Sequence, residues 1–135
     1  MAEIAGADVL VWGLGRHGGG LAAARFCAAH GARVRILDAK PLEALGVDGA
    51  AAIEAGWPSA VGDGSHPWLG EVDLIVPSPA IPPRAWPARH APVRSPEALA
   101  LAAHRGRRIA VTGTKGKSTT AMITAALLGW EACGN

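Results

Sequence analysis

The chain has 135 residues, of which half are apolar and 18% are charged, and its net charge is +2 at pH 7. This length suits one ordinary domain, and the composition is typical of a folded globular protein rather than a disordered one. Six arginines lie between Arg84 and Arg108, but no aromatic stacking pattern is interleaved with them. Together with the small net charge, this argues against nucleic acid as a partner.

The cysteines and the N-terminus exclude further classes. Cys27 and Cys133 lie far apart without zinc-ligand spacing, so neither a disulfide framework nor a zinc site is expected. Cys27 falls within an alanine-rich helical pattern and is predicted to be a buried packing residue. No basic region precedes the first apolar run, and no apolar stretch reaches the roughly 20 residues that span a bilayer. We therefore expect a cytoplasmic protein without a membrane partner.

The first 38 residues predict a strand, a helix and a second strand. Asp8 to Trp12 is a short apolar run typical of a strand, and Gly19 to His30 is an alanine-rich helix that Gly31 closes. Arg33 to Leu37 alternates charged and apolar residues and ends at Asp38. Such a βαβ unit predicts a parallel sheet with a right-handed crossover.

The middle of the chain carries weaker signals. Between Lys40 and Gly70, "DGAAAIEAG" predicts a short helix, "AVGDG" a brief strand and "HPWLG" one helical turn. Val72 to Val76 is a continuous apolar strand of the kind that parallel sheets bury on both faces. The stretch from Pro77 to Pro96 holds seven of the ten prolines, so it predicts a loop-rich rim with at most the short strand "PVR".

The last third predicts another helix, strand and helix. Ser95 suits the N-cap of a helix that starts at Pro96 and that Gly106 ends. A strand from Arg108 to Val111 then leads into a second glycine loop, and "KSTTAMITAALLG" predicts the following helix. The predicted fold is α/β, with a Rossmann-like, mostly parallel sheet and helices on both faces in residues 1–106. Residues 107–135 are predicted to be the first βα unit of a second, truncated domain.

The first glycine loop, "GLGRHG", fits the pattern GxGxxG between a strand and a helix. Its glycines allow a tight turn and the approach of a pyrophosphate to the helix N-terminus. Asp38 stands where an acid can accept hydrogen bonds from a ribose. The loop therefore predicts a site for a nucleotide or nucleotide-sugar, and a nicotinamide dinucleotide module remains an alternative. Arg16 and His17 are either ligand-facing or simply solvated loop side chains.

The second loop, "TGTKGKST", predicts an ATP site. Backbone N–H groups from Gly113 to Lys117 would cradle phosphates, Lys117 would reach the β- and γ-phosphates, and Ser118 would offer its hydroxyl to Mg²⁺. Val111 occupies the position of the first glycine in the common GxxxxGK[ST] form, and Gly113 follows two positions later. A small P-loop NTPase is the alternative, but it would need further strands around the loop.

The order of these motifs resembles the Mur ligases, and most closely the members that add D-glutamate, with a Mur ligase of different amino-acid specificity as the near alternative. The resemblance rests on "GLGRHG", Asp38, "DLIVPSPAI", "VTGTKGKST" and the final "CGN", and it covers essentially the whole chain. It implies a Rossmann-like domain that holds the UDP of the substrate UDP-N-acetylmuramoyl-L-alanine, followed by a central domain that carries the ATP loop. The implied reaction phosphorylates the substrate carboxylate with ATP and Mg²⁺, and the amine of D-glutamate then displaces the phosphate.

The resemblance also implies two sets of site residues. The UDP-sugar site would comprise Gly13, Leu14, Gly15, Arg16, His17, Gly18, Asp38, Ala39, Lys40, Ser78, Pro79, Ala80 and Asn135. The ATP site would comprise Gly113, Thr114, Lys115, Gly116, Lys117, Ser118 and Thr119, with Lys117 as the catalytic residue and Ser118 as the Mg²⁺ ligand.

Two departures from the family pattern, and the length of the chain, lead to further expectations. The family's SPG ends in Ala80 here, which would be strained if that position required a positive φ. The family's GGN begins with Cys133. The 135-residue chain is expected to be inactive by itself. The apolar residues of an incomplete βα unit predict docking on a neighbour, dimerisation or fraying.

Overall fold

The computed structural model describes residues 4–130, which form two compact units, residues 4–104 and 105–130. Within the described range, no helix combines the length and the apolar character needed to cross a bilayer.

The first unit is built on a sheet of four parallel strands. The strands are β1 (Asp8–Trp12), β2 (Arg33–Asp38), β3 (Ser59–Val61) and β4 (Leu74–Pro77). They are arranged in the order β3-β2-β1-β4, so that β1 pairs with both β2 and β4. In this register Val11 lies between Ile36 and Val76. The predicted parallel sheet is confirmed, including its short third strand.

Four helices connect or follow these strands. They are α1 (Gly19–Ala29), α2 (Gly46–Glu54), α3 (Trp68–Glu71) and α4 (Pro96–Ala103), and short 3-10 helices span Leu42–Leu45 and Pro83–Ala85. Gly31 follows α1 with a φ of 83°, as the predicted closing glycine requires. Ser95 caps α4 as predicted, because its Oγ accepts a hydrogen bond from the N–H of Ala98 at 3.1 Å. The helix ends before the predicted Gly106, since His104 is already extended.

The sheet is covered on both faces, as predicted. Val9 and Val11 of β1 face a cluster that includes α1, α2 and Leu99 of α4, whereas Leu10 and Trp12 face a cluster that includes α3. This alternation follows from the two-residue period of a strand. Cys27 is fully buried in the first cluster, as predicted, and burial raises the pKa of its thiol to about 11.

The proline-rich segment after β4 forms the predicted rim. It contains a single parallel bridge, in which Val93 lies beside Ile75. The N–H of Ile75 donates to the carbonyl of Pro92 at 2.8 Å, and the N–H of Arg94 donates back to the carbonyl of Ile75 at 3.0 Å. The predicted strand "PVR" is thus reduced to one bridging residue.

The second unit contains α5 (Lys117–Leu128), which ends at Gly129 in the left-handed conformation and confirms the predicted helix. The predicted strand from Arg108 to Val111 is wrong, because these residues form no strand in the described chain. A strand needs a neighbour to pair with its backbone, and residues 105–130 include no other strand. Ile109 accordingly remains 55% exposed.

Apolar side chains on α5 are exposed, most of all Leu127 at 82% and Met122 at 66%. Exposed apolar surface of this kind favours docking on a neighbour, dimerisation or fraying of the last segment. That expectation stays a prediction.

Candidate functional site

The first glycine loop joins β1 to α1, and its three glycines all adopt the left-handed conformation. The φ angles are 83° at Gly13, 69° at Gly15 and 80° at Gly18. L-residues with a Cβ rarely adopt such angles, so the glycines of the motif are required by the path of the backbone. Leu14 is buried between them, whereas Arg16 and His17 are exposed.

The N–H groups of these three glycines all point to acceptors within the protein. Gly13 donates to the carbonyl of Leu37 at 2.7 Å. Gly15 donates to Oδ2 of Asp38 at 3.1 Å, and Gly18 donates to Oδ2 of Asp48 at 2.7 Å. The glycines therefore fix the shape of the loop.

The loop after β4 lies directly against the first glycine loop. Ser78 donates its N–H to the carbonyl of Trp12 at 2.7 Å. A Cβ added to Gly13 would lie 2.9 Å from Cβ of Ser78, which is closer than real side-chain contacts. The structure thus brings together two segments that are 65 positions apart and that were both predicted to belong to the UDP-sugar site.

Ala80 is not strained. All positive φ angles within residues 4–130 belong to glycines, so Ala80 takes an ordinary conformation. Its N–H donates to Oγ of Ser78 at 3.3 Å, which closes a short turn, and Pro79 between them is exposed. The strain considered for this position is absent because the turn does not require a left-handed residue.

Asp38 ends β2 beside the glycine loop and is 8% exposed. Besides holding Gly15 through Oδ2, it accepts a hydrogen bond from the N–H of Lys40 at Oδ1, at 3.0 Å. Ala39 and Lys40 are exposed at the same edge. The carboxylate therefore organises two neighbouring loops, and a contact to a ribose stays a prediction.

A cavity of about 540 Å³ adjoins Ala39 and was not predicted from the sequence. Its other lining residues come from the segment after β3, between Val61 and Pro67. Within this segment the hydroxyl and the N–H of Ser65 both donate to Asp63 and hold the pKa of its carboxyl below the usual value. The signal in the sequence was "VGDGSHP", a glycine-rich stretch after a strand of the same parallel sheet.

Asp48 was also missed. It lies on α2, is 5% exposed and is one of two buried charged residues in the described chain, the other being Asp38. Nothing in its local sequence distinguishes it from an ordinary helical acid, because its partner Gly18 is 30 positions away.

The second glycine loop has its own local geometry. Gly116 is left-handed, with a φ of 76°, and is the N-cap of α5. Nζ of Lys117 donates to the carbonyl of Gly113 at 2.6 Å, so the lysine bridges its own loop. Residues 112–119 are all exposed. A lysine and a helix N-terminus are a donor set that suits phosphate oxygens, and Ser118 is exposed at the second position of the helix. Asn135 lies outside the described residues.

The sequence of the chain is similar to those of known ligases. No protein-family model matches the chain. A UDP-N-acetylmuramoyl-L-alanine–L-glutamate ligase of Salinispora tropica is 34% identical over 95% of this chain. UDP-N-acetylmuramoylalanine–D-glutamate ligases of Aromatoleum aromaticum and Acidobacterium capsulatum are 37% and 40% identical over 94% and 93% of it. The chain is a homologue of the Mur ligases.

This Mur ligase homologue spans 28–29% of the length of those relatives. The resemblance inferred from the order of the motifs is therefore confirmed over nearly all of the chain. The comparisons do not test the individual site residues, and their roles stay predictions. The names of these relatives agree on the nucleotide-sugar and differ in the amino acid, which is L-glutamate in one relative and D-glutamate in the other two.

Proposed function

We propose that the chain carries the UDP-sugar-binding part and the ATP loop of a ligase that adds D-glutamate to UDP-N-acetylmuramoyl-L-alanine. The observation that carries the proposal is the contact between Gly13 and Ser78 beside Asp38. These three residues lie together at the carboxyl ends of β1, β2 and β4, where parallel sheets bind their ligands. The substrate is proposed from the activities for which the related ligases are named.

In this proposal the diphosphate of the nucleotide-sugar binds at the N-terminus of α1. The first turn of a helix has N–H groups without intrahelical acceptors, and the helix dipole favours an anion there. Arg16 and His17 are the exposed side chains of the loop and would neutralise part of the phosphate charge. The uridine would extend past Asp38 toward Ala39 and Lys40, and Ser78 to Ala80 would close the opposite side.

The second loop is proposed to bind ATP with Mg²⁺. Lys117 would exchange its present acceptor, the carbonyl of Gly113, for phosphate oxygens, and the hydroxyl of Ser118 would hold the metal ion. Residues Gly113 to Thr119 would surround the phosphates. Mg²⁺ when bound would neutralise phosphate charge during transfer to the substrate carboxylate. The chain alone is proposed to be inactive, since it spans less than a third of its relatives.

The ligase of Salinispora tropica favours a second candidate, in which the added amino acid is L-glutamate. The two candidates share UDP-N-acetylmuramoyl-L-alanine. Because the proposed function of these residues concerns the shared substrate, it holds for either amino acid.

Calorimetric titration tests the proposal. We expect saturable binding of UDP-N-acetylmuramoyl-L-alanine to the 135-residue chain and none of NAD at the same concentrations. Arg16→Ala should weaken this binding about fivefold, because one charge near a phosphate contributes roughly 1 kcal/mol. Arg25→Ala is the matched control, since Arg25 is an exposed arginine on α1 itself. Binding of NAD with no response to the UDP-sugar would reject the proposed function in favour of a dinucleotide module.

A further inference from the structure

The buried carboxylate of Asp48 contacts the glycine loop from a separate element. Its Oδ2 accepts a hydrogen bond from the N–H of Gly18 at 2.7 Å, and the residue is only 5% exposed. The distance is that of a charge-assisted hydrogen bond, which is about twice as strong as a neutral one. An acid buried to this degree normally has a specific partner. Here the partner is the N-cap residue of α1.

Asp48 lies in the first turn of α2, which packs tightly against the 3-10 helix that precedes it. Leu42 and Leu45 of the preceding 3-10 helix are buried in the first core cluster. A Cβ added to Gly49 would overlap the carbonyl oxygen of Leu42, so α2 lies in direct contact with this turn. The backbone that carries Asp48 is therefore anchored in the core.

The hydrogen bonds of the three motif glycines limit where a diphosphate can bind. The N–H groups of Gly13, Gly15 and Gly18 all donate to protein acceptors. The N–H groups that remain for a ligand belong to residues between these glycines and to the first turn of α1. Gly19 is exposed there, and a Cβ on it would meet nothing within 4 Å, so this face of the turn is open.

We propose that Asp48 is a positioning residue for the diphosphate: by holding Gly18 inward, it orients the open first turn of α1 toward the ligand. This inference rests on the proposed function, since it concerns the same UDP site. The charge of Asp48 opposes an anion at this helix end, so its useful property is the acceptor atom and not the charge. An asparagine that keeps the oxygen is therefore expected to replace it.

The test compares UDP and uridine as ligands of the full 135-residue chain in a calorimeter. Asp48→Ala should weaken UDP binding about tenfold, because the first turn of α1 is no longer held toward the diphosphate, while uridine binding changes less than about twofold. Asp48→Asn should bind UDP within about threefold of the unmodified chain. Glu54→Ala is the control, because it removes an exposed carboxylate from the same helix. It should leave both affinities unchanged.

The outcomes separate this inference from the proposed function. Failure of the unmodified chain to bind UDP would reject both. Normal UDP binding by Asp48→Ala, or an equal loss for UDP and uridine, would overturn the positioning role alone. If Asp48→Ala does not fold, Asp48→Asn decides: a loss of UDP affinity beyond about threefold would overturn the role of the acceptor atom. The amide proton of Gly18, followed by nuclear magnetic resonance, should stay protected from exchange in Asp48→Asn.

Discussion

Gly18 and Gly116 are the N-cap residues of α1 and α5, and both adopt the left-handed conformation, with φ angles of 80° and 76°. The two loops that they end are held in different ways. The first is fixed by acceptors on Leu37, Asp38 and Asp48. The second is bridged by Lys117, which contacts the carbonyl of Gly113 within the same loop. The same backbone conformation is thus imposed by tertiary structure in one unit and by a local contact in the other.

The two loops also differ in how deeply they are buried. Leu14 in the first loop is 1% exposed and belongs to the core cluster, whereas residues 112–119 of the second loop are all exposed. A loop that shares the core opens only when the unit unfolds, and an exposed loop can open locally. Substitutions in the first loop should therefore change the stability of the unit, and substitutions in the second should not.

The largest effect is expected from Gly20→Ala. A Cβ at this position would overlap the carbonyl oxygen of Leu14 and lie 2.6 Å from its Cα, so the loop or the helix must shift. Overpacking against backbone should lower the free energy of unfolding by about 3 kcal/mol or more in urea titrations.

Gly19→Ala is the matched control. Gly19 is the preceding residue of the same helix and has open space around the position of a Cβ. Because alanine favours a helix over glycine, this variant should be as stable as the unmodified chain or up to about 1 kcal/mol more stable. Equal stabilities for the two variants would contradict the close contact between α1 and the loop.

Asp38→Ala should have the second largest effect. It removes the acceptor of two N–H groups, those of Gly15 and Lys40, from a residue that is 8% exposed. Leaving two partly buried donors without this acceptor should lower the free energy of unfolding by about 2 kcal/mol. Asp38→Asn keeps one acceptor oxygen and should lose roughly half as much. A loss of the same size in both variants would show that the charge, and not the acceptor, holds the loop.

The sequence predicted the elements of the first unit because their signals are local. The two-residue period of β1, the glycine after α1 and the cap at Ser95 each act within a few positions. The tight turn of the first glycine loop was also predicted, because glycines between a strand and a helix are a local signal.

The missed features depend on distant partners. Asp48 binds Gly18, which lies 30 positions earlier in the chain. The cavity beside Ala39 is lined by residues 61–67, which the fold brings next to Ala39. The strand predicted at Arg108 to Val111 failed for the same reason, because a β-leaning pattern forms a strand only beside a partner strand. The first loop and Asp38 were thus recognisable from the sequence, but Asp48, the second acid that holds the loop, was not.

Lys117→Met should change the free energy of unfolding by less than about 0.5 kcal/mol, because exposed polar contacts contribute little to stability. Its effect should appear locally, as faster hydrogen exchange of the N–H groups in residues 113–116. Lys115→Met is the control, as Lys115 is an exposed lysine of the same loop. A loss of stability as large as that of Asp38→Ala would mean that the second loop is fixed by more than the local contact to Gly113.

The smallest effect is expected at the amino ends of the strands, where the partly exposed Asp8 contrasts with the buried Asp38. Nε of Arg33 donates to Asp8 at 2.8 Å and lowers the pKa of that carboxyl below its usual value of 3.8. A depressed pKa in the folded state stabilises the protein above the pKa of the unfolded state, and this stabilisation is lost as the pH falls through the folded value.

Asp8→Asn should therefore be slightly less stable than the unmodified chain at pH 7, and the difference should disappear as the pH falls below the usual value of 3.8. Because Arg33 is exposed and Asp8 partly so, 0.5 M salt should remove most of the difference at pH 7 as well. Urea titrations at several pH values and both salt concentrations would measure this. A stability difference that grows on acidification would have the wrong sign for an acid stabilised by Arg33. A difference that persists in 0.5 M salt would mean that the pair is shielded from solvent, as Asp38 and Asp48 are.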